Sequence, residues 1–221
     1  MPTSGQTMND SSRKIEDLTF LGRPVCVLCV DVSRERMPAF YPLLQQGFVL
    51  ENRGDYTVKM FLSEVLHLPP EYIENRIQTV FLDGKVVDDL DSEVPADRAV
   101  LALSAAMPGL AGAVLRRNTP YGAFRPSITS RQNATRMKGF TGILFVKLFN
   151  LIARDLGPAL FERGLMFDSE SIRSFFDSPP VDSPKCFNRI HANGVPVTPD
   201  FPCGCRCLQD QYVMLRVVSG G

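Results

Sequence analysis

The chain has 221 residues, of which 44% are hydrophobic and 22% are charged, and its formal net charge is zero. These values are typical of a globular protein of one or two domains, and they exclude a disordered or membrane-embedded chain. Zero net charge gives no electrostatic reason to expect a nucleic acid or an anionic membrane as partner. The chain contains two histidines, which limits general acid–base catalysis and zinc-dependent hydrolysis.

The N-terminal residues 1–18 are rich in Ser, Asn, Asp, Lys and Glu, and they predict a disordered leader. They lack the basic start and the continuous apolar centre of a signal peptide. The strongest apolar run elsewhere, residues 142–153, contains Lys147 and Asn150, and it is too short and too polar to span a bilayer. We therefore expect a cytoplasmic protein whose six cysteines are mostly reduced thiols or metal ligands.

Residues 24–32 predict a buried strand that contains a Cys-x-x-Cys pair, Cys26 and Cys29. Such a pair often forms a redox or metal centre, but residues three apart on a strand point to opposite faces. A redox motif would begin a helix, usually with Pro or Gly between the cysteines, whereas Val27 and Leu28 stand here. We expect two core residues on a strand, with a redox pair as the alternative.

Residues 46–117 carry the clearest pattern of structural elements. Residues 48–51 read as a strand that ends in an Arg-Gly-Asp turn. In residues 57–68 the apolar side chains recur every three or four positions, which predicts an amphipathic helix. Asp55 or Thr57 would cap this helix, and Pro69-Pro70 would end it.

A hairpin and a buried strand follow this helix. Residues 79–82 and 85–87 are rich in β-branched and aromatic side chains, and Asp83-Gly84 between them is suited to a type I′ turn. After a polar loop, residues 99–103 form an apolar run of strand length.

Two passages in this region resemble a known family. They are F-L-D-G-K-V-V at residues 81–87 and V-P-A-D-R-A-V-L-A-L at residues 94–103. They are similar to the V-N-G-x-V … L-x-D-G-D-x-V-x-L passage of the ubiquitin-like β-grasp sulfur carriers, namely the small subunit of molybdopterin synthase and the carrier of thiamine biosynthesis. The resemblance covers about a third of the chain. It implies a β-grasp fold in residues 46–117, a mixed sheet with one packed helix.

The same resemblance implies a partner protein, such as an adenylating or sulfur-transfer enzyme. The carriers end in a Gly-Gly tail, whose carboxylate becomes an acyl-adenylate and then a thiocarboxylate. Here the strand at 99–103 continues into residues 107–112 instead, while the predicted strand at 211–219 leads into Gly220 and Gly221. These two glycines are the candidate carrier tail, and a frayed chain end is the alternative.

The second half of the chain predicts helices. Residues 141–156 are apolar on more than one face, which favours a buried helix capped by Thr141 and ended by Gly157. A second short helix would cover residues 158–163. The Asp-Ser-Glu-Ser run before residues 172–176 would cap a third helix.

The last forty-odd residues concentrate thiols. The candidate metal ligands are Cys186, Cys203, Cys205 and Cys207, with His191 nearby. Four thiolates suffice for a zinc or iron–sulfur centre. The spacing is Cys-x-Cys-x-Cys rather than the usual Cys-x-x-Cys, so unligated thiols and a disulfide or redox role remain alternatives. A further option is an enzyme that uses a Cys nucleophile with His191. No catalytic constellation is predicted.

Together these patterns predict an α+β fold. Residues 19–117 would form an N-terminal strand and a β-grasp-like domain, residues 118–138 a basic connection, and residues 139–221 a helical, Cys-rich region. The predicted function is a non-enzymatic ubiquitin-like protein-interaction module or a sulfur-carrier-like protein. The alternative is a cysteine-ligated metal-binding protein.

Overall fold

The computed structural model describes residues 18–54, 56–105, 109–117, 142–177, 187–197 and 208–220. These residues form an α+β fold with one large mixed sheet of ten strands and six α-helices, which confirms the predicted class. Within the described ranges no helix combines the length and the apolar character that crossing a membrane requires.

Twelve strands are described. They are β1 (Thr19–Phe20), β2 (Arg23–Pro24), β3 (Cys26–Ser33), β4 (Phe48–Asn52), β5 (Thr79–Leu82), β6 (Lys85–Val86), β7 (Arg98–Ser104), β8 (Gly142–Phe149), β9 (Leu165–Asp168), β10 (Arg189–Ala192), β11 (Val195–Pro196) and β12 (Tyr212–Gly220). The helices are α1 (Tyr41–Gln46), α2 (Val58–Met60), α3 (Pro70–Asn75), α4 (Gly109–Leu115), α5 (Asn150–Arg163) and α6 (Ser169–Asp177). A 3-10 helix, Arg34–Phe40, precedes α1, and a π-helical turn, Phe61–Val65, follows α2.

The strand order of the sheet is β11-β10-β3-β12-β9-β4-β8-β7-β5-β6. The pairs β3/β12 and β7/β8 are parallel, and all other neighbours are antiparallel. One strand from each part of the chain lies among strands of the other part. In particular, β8 lies between β4 and β7.

One face of the sheet carries the main core. The strand residues on this face alternate with residues on the other face, as the pleat requires. Fully buried examples are Leu28 and Val30 on β3, Leu101 on β7, Val146 on β8 and Leu215 on β12. Residues of α1, α2, α3, α5 and α6 belong to the same apolar cluster, so helices cover this face.

The opposite side is called the outer face below. At its centre, the β1–β2 hairpin covers a smaller apolar cluster that contains Phe20, Val25, Val49 and Met166. The Phe20 ring meets the ring of Tyr212 edge to face, with centroids 5.0 Å apart. Outer-face residues nearer the ends of the sheet lie beyond this cluster.

Several predicted elements of the N-terminal half are confirmed. The strand with the Cys-x-x-Cys pair is β3, and the strands of the hairpin are β5 and β6. The helix at 57–68 corresponds to α2 and the π-helical turn, and the Thr57 hydroxyl caps it by accepting a hydrogen bond from the Met60 amide at 3.2 Å. The other predicted cap, Asp55, lies outside the described residues.

The predicted helix at 141–156 is wrong. Residues 142–149 form strand β8, and α5 begins only at Asn150. Every second residue of β8 faces the helices, while Ile143 and Phe145 pack with the cluster under the hairpin. Because both faces are apolar, the period-two pattern of a half-buried strand is hidden.

The predicted break at Gly157 and Pro158 is also wrong, because α5 continues through both residues to Arg163. Gly157 lies against α1, where an added Cβ would be 2.9 Å from a ring carbon of Tyr41. The glycine thus provides close packing between two helices. The third predicted helix is α6, and the Asp168 carboxylate caps it by accepting from the Ser171 amide at 2.8 Å.

The predicted helical character of the C-terminal half is not confirmed. In its described part it supplies five strands, β8 to β12, besides α5 and α6. The predicted terminal strand is confirmed as β12. The basic connection at 118–138 and the cysteines 186, 203, 205 and 207 lie outside the described residues.

The described elements repeat an order that the sequence did not suggest. Unit 1 runs β3, α1, β4, α2, β5, β6, β7, with α3 inserted before β5, and unit 2 runs β8, α5, β9, α6, β10, β11, β12. From the central β4/β9 pair outwards, both halves of the sheet show the same directions: antiparallel, parallel, antiparallel, antiparallel. The fold is therefore an internal pseudo-two-fold duplication.

The two outer hairpins show this relation in detail. Asp83-Gly84 and Asn193-Gly194 both adopt positive φ angles at both turn positions. The Asp83 carboxylate accepts a hydrogen bond from the Val100 amide at 2.8 Å, and the Asn193 amide oxygen accepts one from the Val27 amide at 2.8 Å. The same side-chain bond thus ties each turn to the adjoining long strand.

The helix ends match as well. Gly47 ends α1 and Gly164 ends α5, both with positive φ. A Cβ on Gly47 would lie 3.1 Å from Cγ of Lys147, and one on Gly164 would lie 2.9 Å from Sδ of Met214. In both units a side chain of a neighbouring strand therefore packs closely on the glycine that ends a helix. Arg216 also donates to the Glu162 carbonyl at 2.8 Å, near the C-terminus of α5, where the helix dipole favours positive charge.

The units exchange strands. In one half of the sheet, β8 of unit 2 lies among β4, β7, β5 and β6 of unit 1, and in the other half β3 of unit 1 lies among the strands of unit 2. The repeat is not exact in the parallel pairs. In one half of the sheet the inner strand of the pair is β8, the first strand of unit 2, and in the other half it is β12, the last strand of the same unit.

Candidate functional site

The Cys-x-x-Cys pair of β3 does not form a redox or metal centre in the structure. Cys26 is buried on the helix side, and Cys29 is half-buried on the outer face, so their side chains point away from each other. Both are free thiols. Burial raises the pKa of the Cys29 thiol, and the nearby Arg216 guanidinium only partly opposes this shift. The thiol therefore stays protonated at neutral pH and is a poor nucleophile.

His191 lies beside this thiol, since His191 and Cys29 are cross-strand partners on β10 and β3. Sequence reasoning had paired His191 with the C-terminal cysteines, which lie outside the described residues. Within the described ranges, no three His, Cys, Asp or Glu side chains are placed to hold a metal ion.

Two residues next to the predicted metal ligands are anchored on one helix. The ring of Phe187 lies 5.2 Å from the ring of Phe176 on α6, and Arg173 of the same helix donates to the Leu208 carbonyl at 2.9 Å. Phe187 directly follows Cys186, and Leu208 directly follows Cys207. The residues that directly follow Cys186 and Cys207 are thus both held at neighbouring turns of α6.

The candidate carrier tail is placed in part. Gly220 is the last residue of β12 and is in register with Ser33 of β3. A Cβ at Gly220 would lie 2.8 Å from Oδ1 of Asp31, so the glycine permits a close strand contact. Gly221 lies outside the described residues. The pairing of β12 therefore continues through the first of the two predicted tail residues.

The most apolar cavity described is a groove on the outer face, at the end of the sheet formed by β5, β7 and β8. Its volume is about 580 Å³. Its described lining residues are Phe81, Gly84, Val100, Ala102, Ser104, Phe149 and Asn150. This set is called the β5–β7–β8 groove. Four of its members are apolar side chains that are half-buried, so they offer contact area without a complete cover.

Strand register brings these residues together. Phe81 is the cross-strand partner of Ala102, and Ser104 is that of Phe149. Val100 lies two residues before Ala102 on the same face, and its amide donates to Asp83, which fixes the hairpin against β7. The groove therefore contains residues from both units, with Phe149 contributed by the exchanged strand β8.

One end of the groove is polar. Asn150 follows Phe149 at the junction of β8 and α5, and its φ angle of 53° turns the chain out of the sheet. Its side-chain amide donates to the Ser104 hydroxyl at 3.2 Å. An Asn amide has a second N–H donor and an acceptor oxygen, and a serine hydroxyl both donates and accepts. This end can therefore bind either a hydrogen-bond donor or a hydrogen-bond acceptor.

Cationic side chains lie on the β8 side of the groove. Arg98 stacks on Phe145, with its guanidinium carbon 4.9 Å from the ring centre. Lys147 is the cross-strand partner of Ala102, and its stem runs over Gly47 on the β4 side of β8. In the described part of the chain, neither cation has a carboxylate within ion-pair distance. The apolar floor is thus bordered by positive charge.

Two other cavities are less apolar. One of about 420 Å³ lies between the β1–β2 hairpin and the start of β12, and one of about 520 Å³ lies between α1 and α5. Both mix polar and apolar side chains. The β5–β7–β8 groove is therefore the best candidate for a binding surface.

No family model, curated protein or solved structure matches the chain. Sequence reasoning missed the groove, because its Phe149 and Asn150 were assigned to a helix. The signal that could have revealed this half is the second hairpin pair, Asn193-Gly194, which parallels Asp83-Gly84 and marks the repeat.

Proposed function

We propose that the protein is a non-enzymatic, β-grasp-like protein-interaction module that binds its partner through the β5–β7–β8 groove. The half-sheet β4-β8-β7-β5-β6 supports this proposal. Its successive pairs are antiparallel, parallel, antiparallel and antiparallel, and a helix follows β4. These are the directions of a β-grasp sheet, with β8 in the place of the first strand.

The observation that carries the proposal is the groove itself. It presents two half-buried phenylalanines, Phe81 and Phe149, beside Val100 and Ala102. Partly exposed aromatic side chains in a concave surface are typical centres of protein–protein interfaces. A partner side chain that filled the groove would remove this apolar surface from water.

The placement of Gly220 favours this role over that of a sulfur carrier. A carrier tail must extend freely from the domain to enter the active site of an adenylating enzyme. Gly220 is instead paired with Ser33 and packed against Asp31. Loading of the Gly221 carboxylate would first require β12 to separate from β3 at its end.

A peptide library displayed on phage, panned against the full-length protein, tests the proposal. Recovered peptides are then titrated against wild type, Val100→Glu and Val195→Glu by fluorescence polarisation. Val100→Glu places a carboxylate in the groove and should weaken binding at least about tenfold. Val195→Glu makes the same change at an exposed site in unit 2 and should not alter binding.

The circular dichroism spectra and unfolding midpoints of both variants establish that they are folded. Recovery of no binding peptide, or of peptides that bind Val100→Glu as tightly as wild type, would overturn the proposed function.

A second candidate function, a cysteine-ligated zinc or iron–sulfur protein, is favoured by the anchoring of Phe187 and Leu208 on α6. Both Cys186 and Cys207 are adjacent in sequence to these anchored residues. Native and denatured mass spectrometry of the freshly purified protein tests it. A bound metal predicts a native mass excess that disappears on denaturation and on Cys→Ser substitution at 186, 203, 205 and 207. Equal masses would exclude a bound centre in the purified protein.

A further inference from the structure

We propose that the β5–β7–β8 groove recognises a peptide segment that has a large apolar anchor residue flanked by Asp or Glu. This inference rests on the proposed function and specifies the partner of the same site. It follows from three features of the groove: its apolar floor, its polar end and its cationic border.

The apolar floor favours a side chain of a macromolecule. Phe81, Val100, Ala102 and Phe149 are half-buried in the protein itself, so part of each side chain remains available for contact with a partner. Small-molecule sites usually enclose most of the ligand surface. Two partly exposed phenylalanines beside Val100 and Ala102 suit one or two bulky side chains that project from a larger partner.

The polar end favours a peptide backbone beside that side chain. Asn150 directs one N–H towards Ser104, and its amide contains another N–H and an acceptor oxygen. A peptide group likewise has one donor and one acceptor. An extended segment that places its apolar side chain against Phe149 would bring its own backbone within reach of Asn150.

The cationic border selects the flanking charge. Arg98 lies on the same face of β7, two residues from Val100. Lys147 is the cross-strand partner of Ala102, with its stem directed towards Gly47 on the far side of β8. Carboxylates next to the anchor residue would approach these cations, whereas lysines would be repelled. The carboxylate of Asp83 in the hairpin turn already accepts a hydrogen bond from the Val100 amide.

A second copy of the chain fits this surface less well. The described lining of the groove contains no Asp or Glu side chain, so a second copy that met it groove to groove would bring no carboxylate from its own lining to Arg98 or Lys147. Edge-to-edge pairing is also limited, because the outermost strands β6 and β11 have two residues each. The border thus favours an acidic partner over self-association.

Three fluorescein-labelled peptides of equal length test the inference by fluorescence polarisation with the full-length protein. The first has a Leu-Phe centre and Asp/Glu flanks, the second has the same centre and Lys flanks, and the third has a Ser centre and Asp/Glu flanks. We expect the first to bind tightest, the second to bind more weakly, and the third not to bind. Raising the salt from about 0.05 M to about 0.5 M should weaken the first complex, because the Debye length shortens.

Point variants assign the charge and amide contributions. Lys147→Gln and Arg98→Gln should each weaken the first peptide about two- to fivefold and leave the second unchanged or tighter. Asn150→Gly keeps the positive φ and removes the amide, so it should weaken the first peptide about threefold or more. Arg23→Gln, at an exposed cation of the β1–β2 hairpin, is the matched control and should have no effect.

The outcomes separate the inference from the proposed function. Equal binding of the acidic and basic peptides, both abolished by Val100→Glu, would overturn the inference and leave the interaction module intact. Failure of all three peptides and of the library would overturn both. A dimer in light scattering that Val100→Glu dissociates would also overturn the inference, because a second copy would then occupy the groove.

Discussion

At the scale of single residues, Asp83 and Asn193 each combine two roles in a hairpin turn. Both adopt positive φ angles, of 50° and 48°, which Asp and Asn tolerate better than most residues. Both also accept a hydrogen bond from the amide of an adjoining strand. Because the two roles coincide at equivalent positions of the two units, these residues fix the register of both ends of the sheet.

Replacing either residue with alanine should therefore destabilise the protein. We expect Asp83→Ala and Asn193→Ala each to lower the free energy of unfolding by about 2 kcal/mol, since both the tolerance of positive φ and the acceptor are lost. Urea unfolding followed by circular dichroism measures the change. Asn193→Gly, which keeps the backbone conformation, should recover part of the loss, and Asn188→Ala is the matched control. An unfolding free energy for Asn193→Ala equal to that of Asn188→Ala would contradict this role.

The Cys29 thiol provides a prediction that depends on pH. Its pKa is raised by burial, so the neutral thiol is the favoured form in the folded protein. The stability that this shift contributes is fully present below the unfolded pKa and is lost as the pH rises through the folded pKa. Alkylation of folded Cys29 should need a higher pH than alkylation of a free cysteine peptide.

Iodoacetamide labelling rates, followed by peptide mass spectrometry across pH, measure this shift. Arg216 lowers the pKa of Cys29, so Arg216→Gln should move the labelling profile to still higher pH. Denatured protein is the internal control and should show the ordinary profile. A folded profile at or below that of the denatured chain would refute the effect of burial.

At the scale of elements, Gly157 distinguishes packing from helix propensity. An alanine in a helix interior is normally about 1 kcal/mol more favourable than glycine. At Gly157, however, the added Cβ would lie 2.9 Å from a ring carbon of Tyr41 and 3.1 Å from Leu44. We expect Gly157→Ala to destabilise the protein by about 1–3 kcal/mol despite its higher propensity, because α1 must move.

Thermal unfolding of Gly157→Ala shows directly whether the substitution stabilises or destabilises the protein. A lower midpoint than wild type supports close packing of α1 on α5. The double variant Gly157→Ala, Tyr41→Ala should lose much of the penalty relative to Tyr41→Ala alone, since the contacting ring is gone. A raised midpoint for Gly157→Ala alone would show that propensity dominates.

The elements that could be predicted from sequence carry a local chemical signal. The hairpin at 79–87 follows from Asp83-Gly84, and α6 follows from the acidic residue and serines at its start. Strand β8 could not be recognised, because its two apolar faces hide the alternation that distinguishes a strand from a helix. Local patterns report a segment's own propensity, and they do not report which segments pack on it.

The candidate groove shows the same limit. Phe81, Val100 and Ala102 lie on strands that the sequence predicts correctly. Phe149 and Asn150 complete the groove only because β8 pairs with β7, a contact across more than forty residues of chain. Such a pairing depends on the whole sheet, so local sequence patterns contain no direct sign of it.

At the scale of the whole molecule, the exchange of strands joins the two units into one cooperative structure. Strand β8 belongs to unit 2 by chain order, but it pairs with β4 and β7 of unit 1. Strand β3 belongs to unit 1, but it pairs with β10 and β12 of unit 2. Neither half of the sheet can therefore form from one unit alone, and the two halves should unfold together.

A core substitution in β8 tests this coupling. Leu148 is completely buried, so Leu148→Ala should cost about 2–5 kcal/mol. If the units are coupled, hydrogen exchange should accelerate by a similar factor in β5, in the first half of the sheet, and in β10, in the second half. Val195→Ala, at an exposed position, should change neither. Acceleration confined to β5 and β7 would mean that the halves unfold separately, and that β3 and β8 stabilise each half without transmitting its unfolding to the other.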